Sequence, residues 1–454
     1  MSKEKTQIIL AGLVIGVIAS ALVLLGNPAN MGFCIACFIR DTAGALGLHR
    51  AGAVQYVRPE IIGIILGSFL LSLGRKEFSP RGGSSPMTRL ALGFFAMIGC
   101  LMFLGCPFRM ILRLAGGDLN AVLGLVGFAA GILCGVFYLK RGYSLKRTYR
   151  LPASEGAVLP AAALFLLALG KKEFSPRGGS SPMTRLVLGF FTMIGCLMFL
   201  GCPFRMILRL AGGDLNALLG FVGFAAGIGC GILYLKRGYS LKRTYRLPAS
   251  EGAAFPAIAA VLLMILITLP SLLAFSTEGP ASQRAALWIS LLAGLVVGGL
   301  AQRTRLCMVG GIRDAILFKE FRLLLGFAAI LISALVMNLI LTAATTGNYF
   351  TLGFESQPVA HMDGLWNALG MLLAGFACVL LGGCPLRQLV LAGEGNSDSA
   401  LTVIGLLLGA AFAHNFGLAS SAAGPTENGK IAVIIGLIAV IIIGECNIAS
   451  RQKK

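Results

Sequence analysis

Two cysteine motifs contain the residue types best suited to chemistry, and each motif occurs twice. The first motif is C-x5-R-D, found at 34–41 and again at 307–314, and the second is C-x5-C-P-x-R, found at 100–109 and again at 378–387. The offsets between the copies, 307 − 34 = 273 and 378 − 100 = 278, nearly agree. Duplication of one ancestral half-protein would account for both pairs.

Thiols that are repeated in this way could contact a passing substrate. A thiol can donate a weak S–H hydrogen bond to a large, polarizable and poorly hydrated anion without slowing its release. A thiolate could act as a nucleophile instead, and an arginine close to Cys106 would favour that form. The candidate substrate-binding residues are Cys34, Cys106, its repeat counterpart Cys202, Cys307 and Cys384. The candidate supporting residues are Arg40, Asp41, Arg109, Arg205, Arg313, Asp314 and Arg387.

The other charged and metal-binding residue types allow further interpretations. The arginines could snorkel to the membrane interface, pair with Asp41 and Asp314 to lock helix ends, or contact the substrate, and locking is favoured for the adjacent Arg-Asp pairs. The histidines occur singly, and Gly310 replaces Cys37 in the second half, so the sequence does not favour a metal site. Free cysteine usually behaves as a small apolar side chain. On that basis, packing is predicted for Cys100, Cys134, Cys196, Cys230, Cys378 and Cys446.

The composition indicates an integral membrane protein. With 57% hydrophobic and 12% charged residues and a mean hydropathy of +0.87, the chain could not be solvated as a globular surface. A β-barrel would alternate apolar and polar residues, so the fold is predicted to be all-α and polytopic. Apolar stretches able to cross about 30 Å of hydrocarbon lie near 7–26, 58–74, 88–105, 119–140, 186–201, 215–235, 254–275, 285–301, 322–345, 363–383, 398–416 and 431–446.

The net charge of +20 is concentrated in short loops, at 140–150, 236–246, 302–305 and 319–322, and in the C-terminal tail. This is the pattern of the positive-inside rule and argues against nucleic acid as a partner. Placing these loops in the cytoplasm puts both termini there and orders ten ancestral spans. The first C-x5-R-D motif then follows an outward span and the second an inward one, so the two halves are predicted to be antiparallel.

An inverted repeat whose polar segments are interrupted by glycine and proline predicts a transport site near the membrane midplane. The segment 30–48 is too short for a span and is predicted to be a re-entrant half-helix. Pro107 and Pro385 favour the start of a further short helix directly after the preceding cysteine. The N-terminus of such a helix attracts anions.

The pseudo-two-fold axis of an inverted repeat predicts which cysteines lie together. Cys106 is expected near Cys384, and Cys34 and Cys307 are expected to form the matching pair. Cys202 would replace Cys106 if the second copy of the repeat described next takes the functional position.

A recent duplication interrupts the older one. Residues 74–156 recur almost letter for letter at 170–252, a shift of 170 − 74 = 96 residues, and removing one copy leaves 454 − 96 = 358. Only one copy can fill the site, and continuity with the following span favours the second. The segment 156–170 joins two basic loops, and Pro160 interrupts it, so a re-entrant or surface helix is predicted there. The predicted division is 1–155 for the first inverted-repeat half, 156–252 for the tandem copy and 253–454 for the second half.

Together, GFC and RD around Cys34, GCPFR at 105–109, LCMVGGIRD at 306–314 and GGCPLR at 382–387 resemble the YeeE/YedE family. The match is closest to the YedE-like branch, which is assigned to selenium transport, and it covers both halves. The similarity to thiosulfate-importing relatives implies a permease whose pore narrows at short helices, where thiols contact the passing sulfur anion. Carried over by motif, that role falls to Cys34, Cys106, Cys307 and Cys384.

The sequence therefore predicts an uptake permease of the bacterial cytoplasmic membrane, and not an enzyme. The alternative is a membrane-embedded sulfur or selenium relay enzyme that uses a thiolate, and a docking protein is supported only by the GLVIG match at 12–16. The sequence has no Walker A loop, dinucleotide fingerprint or HExxH motif, so no cofactor is predicted. The predicted partners are a small selenium- or sulfur-containing anion, the lipid bilayer and a candidate cytoplasmic thiol carrier protein.

Overall fold

Long apolar helices make up most of the described chain. The computed structural model describes residues 3–75, 77, 81–82, 177–178, 182–241, 245–246, 249–347, 349–354 and 357–446. Cys106, Arg109 and the segment 156–170 lie outside these residues. Within them the helices are α1 Lys3–Leu24, α2 Ile35–Ala45, α3 Pro59–Gly74, α4 Pro182–Met198, α5 Pro203–Ala211, α6 Asn216–Lys236, α7 Ala249–Thr268, α8 Leu287–Thr304, α9 Met308–Phe318, α10 Arg322–Ala344, α11 Gly364–Leu381, α12 Pro385–Gly393, α13 Ser397–Asn415 and α14 Glu427–Cys446, with a 3-10 turn at Pro270–Leu272.

The helices have the length and composition of membrane spans. In the described ranges, eight helical segments are long and apolar enough to cross a bilayer, and Pro59–Gly74 and Gly252–Thr268 are shorter apolar helices. Every predicted apolar stretch that falls in these ranges coincides with one of the helices. The prediction of an all-α polytopic membrane protein is confirmed.

Four pairs of long helices, each with one member from either side of residue 253, pack side by side. The pairs are α1 with α10, α3 with α8, α4 with α13, and α6 with α11. A Cβ at Gly63 would collide with the Leu291 carbonyl, and one at Gly67 with the Leu295 carbonyl, so α3 and α8 run parallel at close approach. By the order of the repeated motifs, α1, α3, α4 and α6 of the first half correspond to α8, α10, α11 and α13 of the second. Replacing each helix by its counterpart turns the pair α1–α10 into α8–α3 and the pair α4–α13 into α11–α6. The set of helix pairs is therefore unchanged by that exchange.

The bundle has two ends that polar contacts identify. At one end Arg205 donates to the carbonyl of Val359, in the loop before α11. At the other end Arg322, at the start of α10, forms an ion pair with Glu4, at the start of α1. We call the first end the Arg205 end. The second end is called the Arg387 end, after the arginine of α12 that corresponds to Arg205. The short helices α2 and α5 lie toward the Arg205 end, and α9 and α12 lie toward the Arg387 end.

Three two-residue strands pair outside the helical bundle. They are β1 Arg81–Gly82, β2 Arg177–Gly178 and β3 Tyr245–Arg246. β1 is parallel to β2, with Gly82 opposite Gly178, and β3 is antiparallel to both. Because 178 − 82 = 96, the repeat copies meet here at equivalent positions.

Candidate functional site

Each of four short helices begins directly after a cysteine. α2 follows Cys34, α5 follows Cys202, α9 follows Cys307 and α12 follows Cys384. In α2 and α9 the cysteine sulfur accepts the backbone N–H three residues later, at 3.3 Å in both. α5 and α12 begin with proline, which needs no N–H partner in the first turn. The four thiols therefore lie at helix N-termini, where the backbone dipoles favour negative charge.

The four thiols form two contacts. Cys34 lies next to Cys202, and Cys307 lies next to Cys384. All four residues are buried. The expected matching pair, Cys34 with Cys307, is not among these thiol–thiol contacts, because each of the two cysteines contacts the Cys-Pro cysteine of its own half. A narrow space separates the halves at this point.

That space is a cavity between the two Cys-Pro motifs. It is too narrow to admit a water molecule. Cys202 from the second repeat copy faces it, with Cys384 on the opposite half, whereas Cys106 lies outside the described residues. Its remaining lining residues are Pro203, Phe204, Met308, Phe327, Pro385 and Leu386.

In both copies of the C-x5-R-D motif, the adjacent arginine and aspartate form an ion pair with each other. Arg40 pairs with Asp41 at 2.7 Å, and Arg58 also reaches Asp41, at 3.0 Å. Arg313 pairs with Asp314 at 2.8 Å, but these side chains are 32% and 20% exposed. The first cluster is dry and contains two guanidinium groups for one carboxylate, whereas the second is a partly exposed one-to-one pair.

Arg205 holds three separate segments together at the Arg205 end. This fully buried side chain donates to the backbone carbonyls of Asn30, Leu200 and Val359. All three acceptor residues have left-handed backbones, with φ of 57°, 57° and 52°. That conformation is unfavourable for leucine and more so for a β-branched valine. Among the described residues no carboxylate is within ion-pair distance of Arg205, and carbonyl dipoles face its charge instead.

The counterpart of Arg205 has a different environment. Arg387 pairs with Glu394 at 3.2 Å, and both side chains are partly exposed. The offset 387 − 205 = 182 maps Glu394 onto Gly212. A Cβ at Gly212 would collide with the side chain of Asn30, so the Arg205 end has no room for an acid at this position.

Sequence reasoning missed three residues around Arg205. Arg209 and Asp214 form a fully buried ion pair at 2.6 Å. The Cys37 sulfur lies 3.8 Å from the Arg205 guanidinium, which makes it a fifth thiol at the site. The signal for the ion pair was present, because opposite charges five residues apart in an apolar stretch are costly unless paired.

Two histidines that are remote in sequence stack in the fold. The rings of His49 and His414 lie 4.6 Å apart, and His49 Nε2 bonds to the Arg40 carbonyl at 3.0 Å. Burial lowers the pKa of His49, so the neutral ring is favoured. This contact joins the end of α2 to the end of α13.

One region of the chain matches a known protein family. Residues 303–445 match the family model described as sulphur transport, which represents the YeeE/YedE family. The matched range contains Cys307 and Cys384 with their arginines. No curated protein and no solved structure matches the chain.

Proposed function

Because residues 303–445 belong to the YeeE/YedE sulphur transport family, we propose that this multi-pass membrane protein imports a small sulfur- or selenium-containing anion such as thiosulfate. The observation that carries the proposal is the arrangement of thiols around one cavity. Cys202 lines it on one side and Cys384 on the other, with Cys34 next to Cys202 and Cys307 next to Cys384. An anion would pass from the first pair to the second.

The chemistry of the thiols fits passage. Weak S–H donors at helix N-termini bind a polarizable anion without a strongly bound state, which conduction through successive sites requires. Among the described residues no histidine or lysine is hydrogen-bonded to the four thiols. A relay enzyme, which needs a base or cation to generate the thiolate, would have to use Arg205, whose guanidinium lies 3.8 Å from the Cys37 sulfur.

The helix arrangement fits two inverted halves. The exchange of halves leaves the set of packed helix pairs unchanged, and the short helices of the two halves lie toward opposite ends. The positive-inside rule assigns the Arg387 end to the cytoplasm of a bacterial inner membrane, which leaves both termini inside. The Arg205 end then faces outward.

With this orientation, the outer end offers an incoming anion a buried cation. Arg205 is a buried cation with no acid within ion-pair distance in the described part of the chain, it lies close to Cys37, and a substrate anion could replace its carbonyl partners. At the inner end, Glu394 already neutralises Arg387. The anion would thus be attracted on entry and held weakly on exit.

Uptake by proteoliposomes that contain only this chain tests the function. Radiolabelled thiosulfate should accumulate in exchange for internal thiosulfate, with competition by selenium and sulfur anions that carry a soft atom and little competition by sulfate. The double variant Cys106→Ala with Cys202→Ala should lose uptake, whereas Cys230→Ala, at an exposed cysteine, should retain it. Equal competition by sulfate, or uptake that survives the double change, would contradict the proposal.

A further inference from the structure

Glu60 is a fully buried carboxyl group at the start of α3. Its Oε1 accepts hydrogen bonds from Asn27 Nδ2 at 2.9 Å and from Ser290 Oγ at 3.0 Å. Its Oε2 is buried and has no hydrogen-bond partner. The group therefore has one saturated oxygen and one vacant oxygen.

The other buried acids of the described chain have cationic partners. Asp41 pairs with arginine at 2.7 Å, Asp214 at 2.6 Å and Asp398 at 3.6 Å. Glu60 has no basic group within ion-pair distance in the same ranges. An ionised carboxylate without a cation inside a membrane protein is costly, and such residues commonly mark ion or proton pathways.

The hydrogen bonds around Glu60 leave one carboxyl oxygen free to take up a proton. In a protonated acid one oxygen is a carbonyl that accepts, as Oε1 does twice, and the other carries the hydroxyl proton. A metal cation would instead need several oxygen acceptors, whereas Asn27 and Ser290 both present donors here. A proton is the cation that this environment fits.

Asn27 connects Glu60 to the thiol site. The same Nδ2 that donates to Glu60 also donates to the Gly32 carbonyl at 3.3 Å, two residues before Cys34. Asn27 Oδ1 accepts the N–H of Ala285, in the segment before α8 of the second half. A change of charge at Glu60 would therefore act on both the segment that leads from Asn27 to Cys34 and the contact between the halves.

Few other charges face this group. On its own segment, the Tyr56 ring lies near Glu60, and burial raises the Tyr56 pKa. The Arg58 and Arg284 guanidinium groups lie over the Tyr56 ring at 5.2 and 4.6 Å. From α8 and the segment before α2, the facing groups are the neutral Ser290 and Asn27.

We propose that Glu60 is the site of a coupling proton, taken up from the outer side as the anion enters and released to the cytoplasm as the anion leaves. This inference rests on the proposed transport function. The chemistry is reversible protonation alone: the carboxylate gains H⁺ on one side and returns it on the other, with no redox step. The proton would compensate one charge of the anion and supply the driving force.

The decisive experiment compares exchange with accumulation in proteoliposomes. With equal pH on both sides, wild type and Glu60→Gln should exchange thiosulfate at comparable rates, because the amide mimics the protonated acid. With an acidic exterior and the membrane voltage held at zero, wild type should accumulate thiosulfate about tenfold per pH unit for one proton per anion. The variant should only equilibrate. Glu427→Gln, at an exposed carboxylate, should behave as wild type.

The outcomes separate the two proposals. Absence of exchange by wild type would refute transport, whereas exchange without accumulation would refute proton coupling alone. Accumulation by Glu60→Gln equal to wild type would place the proton elsewhere. Infrared difference spectra of purified protein give a readout without transport: one carbonyl band of a protonated acid that appears as the pH is lowered in wild type and Glu427→Gln should be missing in Glu60→Gln. Its absence in wild type would overturn the assignment.

Discussion

Replacing Arg205 with lysine should open the Arg205 end. A guanidinium offers five N–H donors in a rigid fork, whereas an ammonium is a compact point charge that cannot reach three diverging carbonyls. We expect about two of the three bonds to be lost, at roughly 1.5–3 kcal/mol each for hydrogen bonds to a charged group. The left-handed residues Leu200 and Val359 would also be free to relax.

Water that enters the opened segment recovers part of this loss. We therefore expect the closed arrangement to weaken by about 2–4 kcal/mol, a factor of roughly 30 to 1,000 in the opening equilibrium. The assay is labelling of right-side-out vesicles with a membrane-impermeant maleimide, read on tryptic peptide 6–40, which occurs once in the chain and carries Cys34 and Cys37. When labelling proceeds through rare opening, its rate follows the opening equilibrium.

Arg387→Lys is the matched control for this experiment. Its carboxylate partner is partly exposed, so an ammonium can still pair with Glu394, and the effect should stay below about 1 kcal/mol. Unchanged labelling of peptide 6–40 in Arg205→Lys would refute the role of Arg205 as a latch. Equal labelling in the two variants would show that the difference between the ends has no energetic consequence.

Three further predictions concern the thiols, the repeat and the inner end. Cys384→Ala should lower thiosulfate uptake about 5- to 30-fold, the equivalent of one or two lost hydrogen bonds, whereas Cys378→Ala, away from the cavity lining, should change it less than twofold. Deleting 75–170 removes 96 residues and joins the first half directly to the second copy, so uptake should persist; its loss would assign the first copy an essential role. Glu394→Gln leaves Arg387 without its acid, so exchange should show a lower KM with a maximal rate reduced about two- to tenfold, and a raised maximal rate would contradict the proposed exit step.

The membrane architecture was predictable because it depends on local properties. Spans follow from the length of apolar stretches, and the starts of α5 and α12 follow from proline directly after Cys202 and Cys384. The family resemblance rested on four short motifs, and the two in the second half lie within the residues 303–445 that match the sulphur transport family. These features require no knowledge of which helices touch.

The contacts within the site were not predictable for the same reason. Which thiol lies against Cys34 depends on how α2 and α5 converge, and the sequence spacing of 202 − 34 = 168 residues contains no such information. Glu60 resembled an ordinary acid in the first turn of a helix, a position that favours negative charge. Only the fold shows that it is buried without a cation. His49 and His414 are a similar case, since a stacked pair is invisible when the two residues are 365 positions apart in the sequence.

The proposed transport requires both the shared and the unshared features of the two halves. Repeated cysteines give the anion similar partners on either side of the cavity, so its binding free energy should change little as it passes from one side to the other. On this proposal, Glu394 pairs with Arg387 whereas Gly212 offers Arg205 no acid, and the affinity for the anion would be higher at the Arg205 end. Unequal affinity alone cannot concentrate a substrate, because a carrier without an energy source only equilibrates its two sides. Net uptake against a gradient therefore needs a second ion, and among the buried acids of the described chain Glu60 is the one free of a cation to bind it.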